Sequence, residues 1–419
     1  MRKLKYPVAI ILSIAWLFFS FKLHAQLTDT TKKVPLNDSS TRPHPFQYAK
    51  DSGLQYKNGD FTLTTWAYAE GLFSPGDYSA FRRVRQGMEF KLPAYNFRIN
   101  GNRYRTVLFY EVDFTDNKFF QATKRFKDWE NLFVAFQNSD DPNKFRILFG
   151  ENTQIFSRED NLSSGNLPTI NRSLILEEHG SVNNFGTQWG FQLQKQINST
   201  TLLQFALQDN RGSLNTDTPH YQFWKGIAIK ATKTFIQPTD KSPESLNIGV
   251  AIDRATDITN RSFVLASAIN QFPLGSTLAT GNKLSFENNL DYTNSLGKHL
   301  YTLEYETIYS RYSDQGLSVA GGYAMLQFQV FDKENTGDLV PFARYDLVNL
   351  SSRVTAATEQ AIRLGINYNL PFTHKLVNFH IEYAKHFLNG STQIISPGQG
   401  NFDEFRFELR VNAARYLRF

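Results

Sequence analysis

Arginine is concentrated in one short stretch of the chain, where its side chains could bind anions. Between residues 82 and 105 a single acid, Glu89, is outnumbered by seven basic residues: Arg82, Arg83, Arg85, Lys91, Arg98, Arg103 and Arg105. The planar guanidinium group carries several N–H donors that match phosphate and carboxylate oxygens. Fixed positive charge along a narrow wet path is also what favours the passage of anions. The stretch therefore indicates binding or conduction of anions.

The spacing of these charges predicts which way they point. Three basic residues share one face of a predicted strand, while apolar residues hold the other face: Arg83, Arg85 and Lys91 against Val84, Met88, Phe90 and Leu92. Asn100-Gly101, a strong hairpin signal, precedes a strand on which Arg103 and Arg105 share a face. The basic faces should point to water. A second interpretation is that these arginines only balance acids such as Glu111 and Asp113.

A different kind of segment lies at residues 150–175, GENTQIFSREDNLSSGNLPTINRSLI. Its apolar residues recur neither every second residue, as in a strand, nor every 3.6 residues, as in a helix. The segment is polar, and it contains Arg158 and Arg172. Segments with the alternating pattern of strands lie on both sides of it. We therefore predict a long irregular loop between two strands.

Catalytic groups are weakly represented. Hydrolysis needs a nucleophile, a base and an orienting group within hydrogen-bond reach. His380 and His386 lie on one face of one predicted strand, but neither Gly-x-Ser-x-Gly nor His-Glu-x-x-His occurs. Cysteine is absent, which excludes disulfides, thiolate metal sites and cysteine nucleophiles. We expect no enzymatic activity, no cofactor and no metal, with a barrel hydrolase of the lipase or protease type as a weaker alternative.

The elements that must position these residues are strands. From Phe61 onward, short segments of alternating apolar and polar residues follow one another, 17 by our count and including RSFVLASAI at 261–269. Bacterial single-chain barrels have an even number of strands, so we expect 16. In HLYTLEYETIYS, for example, Leu303 and Tyr305 share a lipid-like face and Glu304 and Glu306 a wet one. The pattern predicts an all-β protein, a transmembrane antiparallel barrel, with a soluble β-sandwich as the alternative.

The N-terminal region has the features of a secretory signal peptide. MRKLK supplies positive charge, an apolar run follows, and Leu23-His24-Ala25 ends on a small residue. The run is shorter than the roughly 20 residues that span a bilayer. We expect 1–25 to direct export, 26–58 to form a disordered periplasmic tail, and 59–419 to form the barrel. Without 1–25 the formal net charge falls from +6 to +2, so nothing indicates a nucleic-acid partner.

Several stretches together resemble the phosphate-selective porins O and P. They are RRVRQGMEFKL (82–92), residues 150–175 with Phe156-Ser157 and Thr169-Ile170-Asn171-Arg172-Ser173, NNFGTQWGFQL (183–193), PFARYDLVNL, IRLGINYNLPFTHKLVNFHIEY and LRVNAARYLRF. The resemblance implies a 16-stranded, trimeric outer-membrane channel whose 150–175 loop folds inward and narrows the pore. The family's Lys and Pro are absent from 150–156, where Thr153 stands, and Asn171 replaces a common Glu. These departures imply weak discrimination for phosphate.

The sequence thus predicts a weakly anion-selective outer-membrane porin for passive uptake of small anions such as phosphate. A general or saccharide-conducting pore is the alternative. The expected partners are small anions, outer-membrane lipid, two further copies in a homotrimer, and the outer-membrane assembly machinery, which would recognise the C-terminal strand ending at Phe419. The pore-lining, anion-binding candidates are Arg83, Arg85, Arg103, Arg105, Arg158, Arg172, Arg344 and Arg363.

Overall fold

The computed structural model describes most of the chain from residue 46 to residue 412. The described ranges are 46–49, 53–73, 83–113, 128–159, 162, 167–170, 172–176, 187–208, 225–239, 242–263, 277–314, 316–330, 338–352, 356–370, 377–390 and 401–412. The predicted signal peptide, residues 26–45 and the terminal Phe419 lie outside these ranges.

The described residues form 19 strands. They are β1 (Phe46–Ala49), β2 (Gly53–Asn58), β3 (Phe61–Phe73), β4 (Arg83–Lys91), β5 (Arg98–Ile99), β6 (Asn102–Asp113), β7 (Asp128–Asn138), β8 (Phe145–Thr153), β9 (Thr187–Asn198), β10 (Thr201–Gln208), β11 (Gly226–Ile236), β12 (Ser245–Phe263), β13 (Thr277–Leu296), β14 (His299–Tyr312), β15 (Ser318–Gln329), β16 (Asp338–Ser351), β17 (Ala356–Asn369), β18 (Val377–Gly390) and β19 (Phe402–Asn412).

Sixteen of these strands, β3, β4 and β6 to β19, close into one antiparallel barrel. Each pairs with the next along the chain, and β19 closes the ring on β3 with the register Phe407↔Phe73 to Asn412↔Tyr68. Closure removes the free strand edge that lipid could not satisfy. The predicted all-β fold, the strand count and the antiparallel barrel are confirmed. Within the described residues, no helix is long and apolar enough to cross a membrane.

Three short strands lie outside the ring. β5 pairs with the start of β6 across Asn100-Gly101, where both residues have positive φ (49° and 77°), as the two central positions of a tight hairpin turn require. β1 and β2 pair with each other, and β2 continues along β3 from Leu54↔Thr65 to Asn58↔Phe61. Part of the range predicted as a disordered tail is therefore paired strand, because 46–49 and 53–58 belong to β1 and β2.

The surplus strand of the sequence count lies at 261–269. Its described part, 261–263, is the end of β12 rather than a strand of its own. β12 is 19 residues long, and its pairing with β13 shifts register twice, after Ala255 and after Ile258. These irregularities interrupt the alternation in the sequence, and so one long strand resembles two short ones.

The alternation along each strand separates a lumen face from a lipid face. On β14, Glu304, Glu306 and Ser310 are buried towards the lumen, whereas Leu303 and Tyr309 are each 42% exposed on the outer surface. β17 and β18 follow the same rule. An apolar outer surface and a polar lumen are the arrangement that a transmembrane barrel requires. The predicted orientations of Glu304 and Tyr305 are confirmed.

Candidate functional site

The segment that follows β8, residues 154–186, is here called the inner loop. Its described residues, 154–159, 162, 167–170 and 172–176, lie in the lumen. Ile155 packs against Ala206 and Ala228 at the base of the loop. Phe156 packs in one buried cluster with the helical turn at 174–176 and with inward side chains of β12 and β14 to β17, such as Ile308 and Val348. An inward-folded loop is thus confirmed, and its apolar side chains are buried against the lumen wall.

One wall carboxylate holds the descending arm of the inner loop. Glu306 on β14 accepts three hydrogen bonds, from Ser157 Oγ (2.7 Å), Arg158 N (2.9 Å) and Glu159 N (3.0 Å). Irregular backbone has no ladder partners of its own, so its buried N–H groups need acceptors of this kind. Because Glu306 supplies them, these three loop residues are fixed in one conformation.

Lys230 on β11 holds the preceding residue. Its Nζ donates to the carbonyl oxygen of Phe156 (3.0 Å) and to Glu287 on β13 (2.9 Å). Glu287 in turn accepts a hydrogen bond from Arg158 N (3.1 Å). The buried ammonium and carboxylate are therefore paired with each other and with the loop backbone, which offsets the cost of removing them from water.

Arg158 points at an acidic part of the wall. Its two terminal nitrogens donate to Asp291 Oδ2 (2.8 Å) and to Glu304 Oε2 (3.1 Å), and Nη1 also donates to the Tyr323 hydroxyl (3.2 Å). Burial alone would lower the pKa of Arg158, but the two carboxylates outweigh it and raise the pKa. The guanidinium charge is thus neutralised by fixed acids.

Glu159 and Arg344 form a buried ion pair between loop and barrel. Arg344 Nη1 on β16 donates to Glu159 Oε1 (2.7 Å), its Nε donates to Asp346, and its guanidinium lies 4.0 Å from the centroid of the Tyr323 ring. Burial raises the pKa of Glu159, but the Arg344 charge and the hydrogen bond from Ser173 outweigh it, so the pKa lies below its usual range.

The returning arm of the loop is held from β17 to β19. Arg410 donates to the carbonyl oxygens of Leu167 (2.5 Å) and Thr169 (2.8 Å), and Glu382 accepts from Ile170 N (3.0 Å). Asn367 Nδ2 donates to Pro168 O at 2.6 Å. From Phe156 to Leu174, the described loop residues therefore contact a wall that runs from β11 to β19.

The predicted anion-binding arginines are mostly paired with acids. Arg85 lies 3.6 Å from Glu111, Arg103 lies 2.9 Å from Asp60, and Arg363 lies 3.0 Å from the same Asp346 that Arg344 contacts. Arg172 donates to the Leu162 carbonyl oxygen. Arg83 pairs through its backbone with Glu70, and its side chain is not described. The structure brings Arg158, Arg172 and Arg344 together at the loop, whereas Arg85 lies across the barrel on β4.

Arg105 differs from these residues. Its Nη1 donates to the backbone oxygen of Asp60 (3.4 Å), its Nε has no hydrogen-bond partner, and no described carboxylate lies within ion-pair distance. In the strand register it stands next to Gln137, which stands next to Arg146 on β8. Arg146 also lacks an ion pair and a partner for its Nε among the described residues. Glu89 acts on Arg146 electrostatically but forms its own ion pair with Lys91.

Sequence reasoning missed Arg146. It is a single basic residue in FRILFGE, outside the arginine-rich stretch. The signal was nevertheless present, because alternation along that strand places Arg146, Leu148 and Gly150 on one face, and the register places this face in the lumen. Arg105, Gln137 and Arg146 together are here called the basic row.

Metal and catalytic chemistry have little support. Within the described ranges, no group of three or more His, Asp or Glu side chains could hold a metal ion. His386 lies 2.7 Å from Glu359 and 3.4 Å from Glu404 and stacks on Phe402, while His380 lies buried in the lumen wall. His386 is therefore held in place by carboxylates on neighbouring wall strands.

A 16-stranded antiparallel barrel with a loop folded into its lumen defines an outer-membrane porin. The chain belongs to the family of phosphate-selective porins O and P, whose sequence profile matches residues 71–397. No curated protein sequence matches the chain.

Solved structures with the same fold are distant in sequence. The trimer form of OmpT from Vibrio cholerae has a TM-score of 0.50 at 12% identity, covering 84% of this chain and 99% of that one. An anion-selective porin from Comamonas acidovorans has a TM-score of 0.51 at 9% identity, covering 84% and 99%. Salmonella typhi OmpF in complex with daunomycin has a TM-score of 0.53 at 12% identity, covering 85% and 99%. These similarities describe the fold of this outer-membrane channel.

Proposed function

We propose that this porin is a weakly anion-selective channel for the passive uptake of small anions, including phosphate. The observation that supports the proposal is the basic row: Arg105 and Arg146 are half-buried lumen guanidiniums with no carboxylate in ion-pair distance among the described residues. At an effective dielectric constant of about 20, one charge 4 Å from an ion contributes roughly 4 kcal/mol before screening. Two such charges favour anions over cations.

The preference is weak because most other lumen arginines are neutralised. Arg158, Arg344 and Arg363 each have carboxylate partners, so they act as anchors of the loop and the wall. Screening over about 8 Å at physiological salt then restricts selectivity to unpaired charges close to the ion path. Thr153, which stands where the family has Lys, supplies no further charge. A passing anion meets the basic row rather than a continuous series of free guanidiniums.

The test is the reversal potential of the purified full-length protein in a planar bilayer under a potassium chloride gradient. We expect a preference for chloride in the wild type and a shift towards potassium in the double variant Arg105→Gln/Arg146→Gln. The matched control is Arg103→Gln/Asp60→Asn, which removes an ion pair two residues from Arg105 without changing net charge. A wild-type channel that prefers potassium, or a control that shifts as much as the test variant, would overturn the proposal.

We infer export through the signal peptide at 1–25, recognition of the C-terminal strand ending at Phe419 by the outer-membrane assembly machinery, and a homotrimer. The family membership and the trimer form of one similar porin support the oligomer. The protein acts as a channel without catalysis or cofactor. Cross-linking in outer-membrane fractions tests the trimer, and a product no larger than a dimer would contradict it.

A further inference from the structure

We propose that Trp66, Phe109 and Phe133, together with Arg146, form a binding subsite for organic anions that carry a ring. Sugar phosphates and aromatic carboxylates share this chemistry: an anionic group attached to a ring with an apolar face. The inference rests on the proposed function and deepens it by naming a class of solute that the channel would hold on the way through.

The three aromatic side chains form a continuous row on the lumen wall. The centroids of the Trp66 and Phe109 rings are 5.3 Å apart, and Phe109 stacks on Phe133 at 4.8 Å with the planes 6° from parallel. Register places all three on the face that also carries Arg85 and Glu111. Phe133 is almost completely buried against Val107, Ala135 and Leu148, so Trp66 and Phe109 form the more accessible part of the row. Since barrel lumens are polar, these aromatic side chains from β3, β6 and β7 on the lumen side require an explanation.

A glycine makes this row possible. Gly87 lies between Trp66 and Glu111 in the register, and a Cβ atom added to it would come within 2.3 Å of the indole ring. The indole therefore occupies the space that the Cβ atom of any other residue type at position 87 would fill. With Gly87 in place, Trp66 on β3 reaches across β4 to Phe109 on β6.

Polar groups of different kinds flank the row. At one end the Arg146 guanidinium lies 5.0 Å from the centroid of the Phe133 ring, and its Nε has no hydrogen-bond partner among the described residues. Along the other side, Glu111 accepts hydrogen bonds from Trp66 Nε1 (3.5 Å) and Asn131 Nδ2 (2.9 Å). The row thus has the Arg146 guanidinium at one end and, along its other side, the carboxylate of Glu111, which also lies 3.6 Å from Arg85.

This arrangement matches a ring-bearing anion better than a simple ion or a neutral sugar. The C–H face of a sugar ring and the C–H edge of an aromatic ring carry partial positive charge, and both are attracted to the negative faces of Trp66 and Phe109. A carboxylate or phosphate on the same solute can accept from the guanidinium of Arg146. Ring hydroxyls can donate to Glu111. Inorganic phosphate uses only the cationic end, and glucose uses only the rings and acceptors.

The experiment measures block of ion current through the full-length channel by four solutes: glucose 6-phosphate, benzoate, inorganic phosphate and glucose. We expect the two ring-bearing anions to half-block the current at concentrations several-fold below those of phosphate and glucose. Phe109→Leu keeps an apolar side chain and removes the ring. It should raise the half-blocking concentration of both ring-bearing anions by about 2- to 10-fold and leave block by phosphate unchanged. Arg146→Gln should weaken block by all three anions.

The matched control is Phe286→Leu, the same change on the lipid face, where the side chain is 46% exposed; it should leave all four curves unchanged. Block by glucose as strong as by glucose 6-phosphate would overturn the need for an anion. An equal effect of Phe109→Leu on phosphate and on the ring-bearing anions would overturn the role of the rings. Because the reversal potential is measured without these solutes, failure of anion selectivity can be told apart from failure of the subsite.

Discussion

Glu159 of the inner loop and Arg344 of the barrel wall are 185 positions apart in sequence and 2.7 Å apart in space. Both side chains are almost completely excluded from solvent, and Arg344 also contacts Asp346. Removing one partner of a buried ion pair costs about 3–5 kcal/mol, since the other charge is left without compensation. This pair is therefore a principal anchor of the loop.

Glu159→Gln should loosen the inner loop. The neutral amide removes the charge that faces Arg344, so we expect higher and noisier single-channel conductance and a lower temperature of unfolding in detergent. Lys385→Gln is the control, because its ion pair with Asp403 is long, at 3.9 Å, and exposed. Unchanged conductance and thermal stability in Glu159→Gln would show that the pair does not hold the loop.

The docked loop should also respond to acid. The pKa of Glu159 lies below its usual value, so its stabilising contribution is complete above the ordinary glutamate pKa of about 4.3 and is lost as pH falls through the lower value of the docked state. Conductance should thus rise and become noisy when the pH falls below the ordinary glutamate value and Glu159 takes up a proton. Other charged or titratable groups near Glu159 are Arg344, Glu306 and Tyr323. In Glu159→Gln this acid transition should be much reduced, and an identical transition would assign it to another group.

Phe156 should contribute to stability as a core residue. It is fully buried between the loop and the wall, in the cluster that contains Ile175 and Val348. Phe156→Ala should therefore lower the free energy of unfolding by about 3–5 kcal/mol, as truncation of a buried Phe generally does. The loss of stability would be measured as a lower unfolding temperature, with unfolding followed by the change in gel migration. Leu364→Ala on the lipid face, 52% exposed, is the comparison, and an equal loss in both variants would contradict the docked position of Phe156.

Single cysteine substitutions can test which face of a strand lines the lumen, since the chain contains no cysteine of its own. Gln204 on β10 faces the lumen and hydrogen-bonds with Gln194, whereas Leu203 points outward and is 40% exposed. In membranes, Gln204→Cys should react with a small water-soluble thiol reagent and Leu203→Cys should not. Equal labelling at both positions would contradict the assignment of Gln204 to the lumen face of β10 and of Leu203 to its lipid face.

Much of the barrel could be predicted from the sequence because a strand has a period of two. The side on which Glu304 or Arg363 would lie follows from alternation alone, and the even strand count follows from closure. The end of β12 was harder to assign, since register shifts at Ala255 and Ile258 break the period.

The role of each arginine could not be predicted in the same way. Arg158 meets Asp291 and Glu304, which are 133 and 146 positions away, and neither spacing nor composition encodes such a contact. Whether a guanidinium is free or neutralised depends on the conformation of the loop. For that reason the arginine-rich stretch drew attention to Arg85 and Arg103, which are paired, while the isolated Arg146 was overlooked.

The inner loop is anchored from β10 to β19, and the basic row and the aromatic row lie on β3 to β8. The residues that hold the loop therefore lie mainly in the C-terminal half of the chain, whereas the residues proposed to contact the solute lie in the N-terminal half. If the proposal holds, substitutions before β9 would change which solutes pass and leave the contacts that hold the loop intact. A related porin could acquire specificity for a different solute through changes in the N-terminal half alone. The lumen side chains of that half could also be exchanged together by design.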